Sequence, residues 1–125
     1  GRLKGFRRPV ERKMAQTKQV VLVTTVKTSG KVVKNRFVDF AGKQAAAGVK
    51  VLGTATLDAD AGEMLAVDVL GIALVEAGGT IAVGDEVAAD AQGAAVKAAG
   101  NAKIAGTARS AATAAGEVIQ VFLKG

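Results

Sequence analysis

Three carboxylates lie close together near the middle of the chain and come nearest to the pattern of a metal-binding loop. They belong to Asp58, Asp60 and Glu63. A calcium loop brings together roughly six to eight oxygen ligands and ends on a glutamate at a fixed spacing, and the spacing here does not match. A related segment later in the chain has Ala111 and Thr113 in place of the two aspartates. We therefore expect these carboxylates to cap a turn, and we predict no metal site.

Phosphate binding and catalysis also lack the residues that they need. No Gly-Lys-Ser/Thr run and no helix pattern follow Gly78 and Gly79, as a phosphate-binding loop requires. The chain has no His and no Cys, and its serines, Ser29 and Ser110, have no basic partner nearby in sequence. Catalysis would therefore rest on carboxylates and lysines alone. Five further acids are spread along the chain as exposed residues would be: Asp39, Asp68, Asp85, Glu86 and Asp90. We predict no enzymatic activity and no cofactor.

Basic residues are concentrated at the N-terminus. Residues 1–13 hold six lysines and arginines and a single acid, so most of the net charge of +6 belongs to this segment. We interpret residues 1–18 as an extended basic arm. Its cations could neutralise phosphates or pair with carboxylates on an acidic protein surface. Only Phe6 offers a ring on which a base could stack.

Length and composition favour a small domain that works in an assembly. The chain of 125 residues fits one domain. Its residues are 50% hydrophobic, but only 3% are aromatic and many are alanines. Alanine buries little of the apolar area that stabilises a core by roughly 25 cal/mol per Å², so we expect the monomer to gain stability from neighbours. No apolar run reaches the ~20 residues of a membrane-spanning helix, so no membrane partner is expected.

One sequence pattern occurs twice. Gly53-Thr54-Ala55 is followed by Ala61-Gly62-Glu63, and Gly106-Thr107-Ala108 is followed by Ala115-Gly116-Glu117. The copies lie about 53 residues apart, a spacing at which self-similarity indicates a repeated structural unit. Two copies are too few for a solenoid. We therefore predict two related units that close into one compact domain.

Short β-branched segments alternate with glycine-containing turns through the rest of the chain. This pattern predicts an all-β fold, a small barrel or sandwich built from two related β units of about 50 residues and preceded by the arm. The predicted β domain spans residues 19–125, with an internal repeat over approximately residues 34–71 and 83–123.

Several local features follow from the same pattern. Residues 19–28 and 32–40 read as two strands joined by a turn, with a bulge or bend near Asn35. Gly53 marks a close approach of two backbones or a bulge, and Gly71 is expected to interrupt the strand that begins at Met64. A single helical turn is plausible over residues 110–115, because alanine is the best helix former.

The ordered set of glycine and valine motifs resembles the small capsid cement, or decoration, proteins of tailed bacteriophages and prophages. The resemblance extends from Ala15 to Leu123, and five segments carry it: residues 35–38, residues 48–55, residues 60–78 with Ala61-Gly62-Glu63-Met64-Leu65-Ala66-Val67, residues 81–87, and the closing Gly116-Glu117-Val118-Ile119-Gln120-Val121. It implies a virion structural protein on the outer surface of the capsid, made in the bacterial host cytoplasm. It also implies binding to the major capsid protein and to other copies of itself, commonly as a homotrimer, with no enzymatic activity and no cofactor.

On this basis we expect the arm to contact the capsid or a neighbouring copy. The expected contact residues are Arg2, Lys4, Phe6, Arg7, Arg8, Arg12, Lys13 and Lys18. Two other functions stay open at this point. One is a β-barrel nucleic-acid-binding protein that uses the basic arm, although direct nucleic-acid contact is not the expected role. The other is an oligomeric module that serves an enzyme, which a cluster of carboxylates in a deep pocket would indicate.

Overall fold

β-strands are the only regular structure in residues 17–123, the part of the chain that the computed structural model describes. The prediction of an all-β fold is therefore confirmed. The eight strands are β1 Gln19–Lys27, β2 Phe37–Asp39, β3 Val51–Ala55, β4 Met64–Glu76, β5 Glu86–Ala89, β6 Ala95–Lys97, β7 Gly106–Ala108 and β8 Val118–Leu123.

All eight strands belong to one antiparallel sheet that curls into a nearly closed barrel. The order across the sheet is β2-β3-β4-β8-β7-β5-β6, and β1 pairs with β4 outside this path. Strand β4 is the longest, with 13 residues, and it is the only one in this part of the chain that pairs with three others. It therefore connects the two halves of the domain.

Gly71 lets β4 change partners without ending. Its φ of 105° lies in the left-handed region, and a Cβ there would lie 2.5 Å from the carbonyl oxygen of Gln19. Residues before Gly71 pair with β1 and β3, and residues after it pair mainly with β8. The expected interruption at this glycine is therefore wrong, because glycine absorbs the local bulge while the hydrogen-bonded ladder continues.

The first predicted hairpin is also wrong. Strand β1 pairs with β4 instead of with the segment that follows it, and β2 pairs with β3. The bend predicted near Asn35 is confirmed, since Asn35 has a φ of 66°. Val32, which precedes this left-handed residue, exchanges both backbone hydrogen bonds with Ala59.

Backbone hydrogen bonds of residues 19–70 recur in residues 71–123. We call residues 19–70 the first unit and residues 71–123 the second unit. In the first, the N–H of Asn35 donates to Ala55; in the second, the N–H of Gly84 donates to Ala108 in the same way. The two-way bonding of Val32 with Ala59 recurs between Ile81 and Ala112.

This equivalence extends to whole strands. Lys27 lies opposite Met64 just as Glu76 lies opposite Val118, so β1 corresponds to the second half of β4. The first half of β4 corresponds to β8, and β3 corresponds to β7. The equivalent strands thus include segments that lie outside the predicted repeat limits.

Each unit has its own hydrophobic core. The core of the first unit is built from Val32, Val38, Ala55, Ala59, Leu65, Val67 and Val69. The core of the second unit contains the equivalent side chains, among them Ile81, Val87 and Val121, and also receives Phe37 and Ala45 from the first unit. Phe37 therefore joins the two units by burying its ring in the core of the second.

Close backbone packing explains the repeated Gly-Thr-Ala motif. A Cβ at Gly53 would collide with the carbonyl oxygen of Asp68, and a Cβ at Gly106 would collide with that of Phe122. The close approach predicted at Gly53 is confirmed. The segment at residues 110–115 forms no helical turn, because Ala112 pairs with Ile81 as Ala59 pairs with Val32.

Candidate docking surface

Of the eight predicted contact residues, the structure describes only Lys18. The other seven, Arg2, Lys4, Phe6, Arg7, Arg8, Arg12 and Lys13, lie outside residues 17–123. Lys18 Nζ lies 2.9 Å from Asp68 Oδ2, and the side chains of Lys18 and Asp68 are 43% and 4% exposed. Lys18 thus compensates a buried carboxylate, while half of its side chain faces solvent at the start of β1.

Of the five acids that were expected to be exposed, Glu86 is exposed, Asp39, Asp85 and Asp90 are partly buried, and Asp68 is buried. Asp68 lies opposite Thr54 on the neighbouring strand, and both residues are buried. Asp68 Oδ1 and Thr54 Oγ1 have no hydrogen-bond partner among residues 17–123. The local pattern could not predict this burial, because the partner of Asp68 is Lys18, 50 residues earlier in the chain.

Of the central carboxylates, Glu63 caps its own turn, whereas Asp58 binds a segment that lies 24 residues earlier in the chain. Asp58 Oδ1 accepts a hydrogen bond from the N–H of Lys34, and Glu63 Oε1 accepts one from the N–H of Asp60. In the second unit Glu117 takes the equivalent role and accepts bonds from the Oγ1 and N–H of Thr113. These bonds, the side-chain bond first, lower the pKa of Glu117 below its ordinary value. Over residues 17–123, no group of three or more potential metal ligands comes together.

An apolar groove lies on the outer face of the second unit. It is open to solvent, has a volume of about 400 Å³, and is lined by Ile72, Val83, Gly84, Thr107, Ala108, Arg109 and Phe122. Phe122 is 45% exposed and Val83 is 66% exposed. We call this surface the Phe122 groove. Large apolar side chains at the surface mark sites of interaction with other proteins more often than sites of chemistry.

The alternation of β8 positions the Phe122 ring. Ile119, Val121 and Leu123 point into the core, so Phe122 points outward. It lies opposite Ile72 on one neighbouring strand and Thr107 on the other. Phe122 was not among the residues predicted from the sequence, although the period-two pattern at the end of the chain contains the signal.

A second apolar surface lies on β1. Val21, Leu22 and Val23 are each about half exposed or more, and β1 pairs only with β4 among the strands of the described chain. Its register with β4 shifts on either side of Leu22. Bulges of this kind are common at sheet edges, where they limit uncontrolled pairing.

The other large depression offers no catalytic constellation. It has a volume of about 500 Å³ and is lined mainly by alanines, with Asp90 as its only acid. Asp90 Oδ1 is engaged by the N–H groups of Gln92 and Ala94, so this carboxylate holds a turn. Within residues 17–123 there is also no helix with the length and apolar character of a membrane span.

The fold is similar to that of a solved phage protein. The chain is similar to the protein described as head fiber gp8.5 N base in bacteriophage phi29, with 23% sequence identity and a TM-score of 0.67. The match covers 82% of this chain and 93% of the other. At this level of identity the likeness shows a shared fold. No curated protein matches the sequence.

The sequence also matches a family model described as phage cement protein, and the match spans residues 15–123. It therefore includes both β units and every strand described above. The corresponding role is that of a phage structural protein associated with the capsid, a class that is not typically enzymatic. With nearly the whole chain matched, this protein belongs to the phage cement protein family.

Proposed function

We propose that this protein binds the outer surface of the phage head as a homotrimer and stabilises the assembled capsid. The observation that carries the proposal is the family match over residues 15–123. The surface is consistent with it, because the described residues expose apolar side chains for docking and gather no catalytic groups. The major capsid protein is the proposed partner, together with other copies of this chain. We also propose that the protein has no enzymatic activity and is made in the host cytoplasm.

Binding can stabilise a capsid in the absence of any chemistry. A ligand that binds the assembled lattice but not free subunits shifts the equilibrium toward the lattice by mass action. Repetition over many equivalent positions on the head adds avidity, because the subunits of one oligomer bind together. A small, rigid β domain suits this task because little of its conformational entropy is lost on docking.

The basic arm is the proposed capsid-facing or neighbour-facing element. Its contact residues are Arg2, Lys4, Phe6, Arg7, Arg8, Arg12, Lys13 and Lys18. Arginine pairs with carboxylates through two parallel hydrogen bonds, which makes it suited to an acidic protein surface. Lys18, which the structure describes, is paired with Asp68 and keeps 43% of its side chain exposed.

Co-sedimentation with expanded capsids tests the proposal. The full chain should pellet with capsids, and a variant that lacks residues 1–13 should show a strongly reduced occupancy. Replacement of Arg7 and Arg8 by glutamine should lower occupancy, whereas Lys103→Gln, an exposed lysine of the β domain, should not. Full occupancy without residues 1–13 would contradict the role of the arm. Failure of the full chain to bind would contradict the proposed function.

Capsid stability is a separate measurement. Heating of capsids with and without the bound protein should show a higher temperature of disruption in its presence. The affinity of the free protein for DNA, measured over a range of salt concentrations, tests the alternative function. A slope of several units in a plot of the logarithm of the binding constant against the logarithm of the salt concentration would indicate that the arm neutralises phosphates.

A further inference from the structure

The contact between the two units of one chain provides a template for contacts between chains. At this internal contact the N–H of Glu76 donates to the carbonyl oxygen of Asn35 at 2.8 Å. The guanidinium of Arg36 donates to the Glu76 carboxylate from Nε at 3.2 Å and from Nη2 at 3.1 Å. Arg36 Nη1 also donates to the carbonyl oxygen of Gln92 at 2.9 Å. The second unit thus covers the first around Asn35 and Arg36.

Hydrogen bonds identify the same positions in the second unit. Ala55 donates to Arg36 as Ala108 donates to Asp85, so Asp85 is the equivalent of Arg36. By the bonds described above, Gly84 is the equivalent of Asn35. Gly84 lines the Phe122 groove, and its carbonyl oxygen has no partner within residues 17–123. The second unit therefore has a surface equivalent to the one that is covered in the first unit. In the second unit, nothing in the described chain covers this surface.

Burial differs accordingly at the other equivalent positions. Thr54 and Asp68, opposite each other in the first unit, are buried. Their equivalents in the second unit, Thr107 and Phe122, are opposite each other in the same register. Phe122 is 45% exposed. The second unit therefore presents a phenyl ring to solvent at the position where the first unit has the buried Asp68.

Charge identifies the occupant. In the internal contact Glu76 pairs with Arg36. The residue equivalent to Glu76 in the first unit is Lys27, and the residue equivalent to Arg36 in the second unit is Asp85. If the first unit of another copy occupied the groove as the second unit does internally, Lys27 would meet Asp85. The pair is again complementary, with both signs reversed. Lys27 is exposed and has no ion-pair partner within residues 17–123.

We propose that the Phe122 groove binds the first unit of a second copy of this chain, with Asp85 of one copy paired with Lys27 of the next. The inference rests on the self-association in the proposed function and specifies its interface. Such a contact joins two different surfaces head to tail, so it produces closed rings or open chains and not two-fold dimers. A ring of three chains would present six β units around its axis.

Cysteine cross-linking tests this orientation, because the native chain has no cysteine that could interfere. Lys27→Cys and Asp85→Cys variants are prepared separately, mixed and oxidised, in solution and on capsids. The mixture should form a covalent dimer, whereas neither variant alone should do so. A control mixture of Lys103→Cys with Asp85→Cys should remain uncross-linked. Absence of a cross-link in the first mixture, both in solution and on capsids, overturns the proposal.

Charge exchange provides a second test. Lys27→Glu and Asp85→Lys should each weaken self-association by about tenfold, because each places like charges together, and the double variant should recover most of the loss. Asp85 Oδ2 also accepts a bond from the N–H of Ala82, so thermal unfolding of each variant is measured alongside. Asp85→Asn keeps this acceptor and should weaken association less than Asp85→Lys. Equal association of the two single variants and the double variant would contradict the pairing.

These readouts separate the inference from the proposed function. A cross-link in solution without binding to capsids would support the interface and contradict the capsid role. Binding to capsids without the cross-link would support the role and overturn this interface.

Discussion

Asp68 and Phe122 occupy equivalent positions in the two β units, but Asp68 is buried beneath Lys18 whereas Phe122 is exposed beside an open groove. Each lies opposite the threonine of a Gly-Thr-Ala motif, Thr54 or Thr107. The backbone pairing at these two positions is therefore the same, but one position has a carboxylate and the other a phenyl ring. The difference follows the surroundings, because the first unit is covered by the rest of its own chain and the second is not.

Removal of the Lys18 ammonium should destabilise the domain. Lys18→Ala leaves Asp68 without its one ion-pair partner within residues 17–123, and we expect a loss of about 1–2 kcal/mol, less than for a fully buried pair because Lys18 is half exposed. Urea unfolding at neutral pH measures the change. Lys31→Ala, an exposed lysine, is the control and should be near neutral. Adding Asp68→Asn to Lys18→Ala should recover part of the loss, and no recovery would argue against an uncompensated charge as the cause.

The two motif glycines should be equally sensitive to a methyl group. Gly53→Ala and Gly106→Ala each place a Cβ against a backbone carbonyl oxygen and a valine side chain, which we expect to cost about 2 kcal/mol or more. Gly79→Ala is the matched control, because a Cβ there meets nothing within 4 Å. Thermal unfolding of the three variants gives the comparison. A motif glycine that tolerates alanine as well as Gly79 does would show that the strands are less closely packed at that point.

Glu117 should contribute to stability on the acid side of neutrality. Hydrogen bonds from Thr113 lower the pKa of Glu117 in the folded chain, so the unfolded chain binds its proton more readily. The contribution is therefore fully present above the pKa of the unfolded state and is lost as the pH falls through the lower folded value. Glu117→Gln should remove this part of the pH dependence of urea unfolding, and Thr113→Val should reduce it. If the loss of stability at acidic pH were unchanged in both variants, its attribution to Glu117 would be refuted.

Local features of the fold were readable from the sequence, because the residues that cause them are neighbours in the chain. Gly53 and Gly106 recur within a repeated motif, so a shared backbone constraint could be inferred. Asn35 could be identified as a bend because the apolar residues around it do not keep a period of two. The all-β architecture follows in the same way from many short segments and turns.

Partner choice between strands was not readable, because it depends on contacts far apart in the chain. β1 pairs with β4 although residues 28–63 lie between the two strands, and a hairpin with its neighbour was the simpler expectation. The burial of Asp68 has the same origin, since its partner Lys18 lies 50 residues away. The Phe122 groove depends on three strands and a loop that come together only in the folded domain, so its residues carry no common motif.

Phe122 allows stability and association to be separated. Phe122→Ser removes a ring that is 45% exposed, so the free energy of unfolding of the monomer should fall by only about 1 kcal/mol, roughly half the value for a fully buried phenylalanine. Self-association should fall strongly, because buried aromatic anchors dominate the affinity of protein interfaces. Sedimentation velocity measures the association and urea unfolding measures the stability. Val21→Ser, which removes an exposed apolar side chain on β1, is the control and should leave association unchanged. If Val21→Ser reduced association and Phe122→Ser did not, the β1 surface would be the interface between copies, and the groove would have to serve another partner.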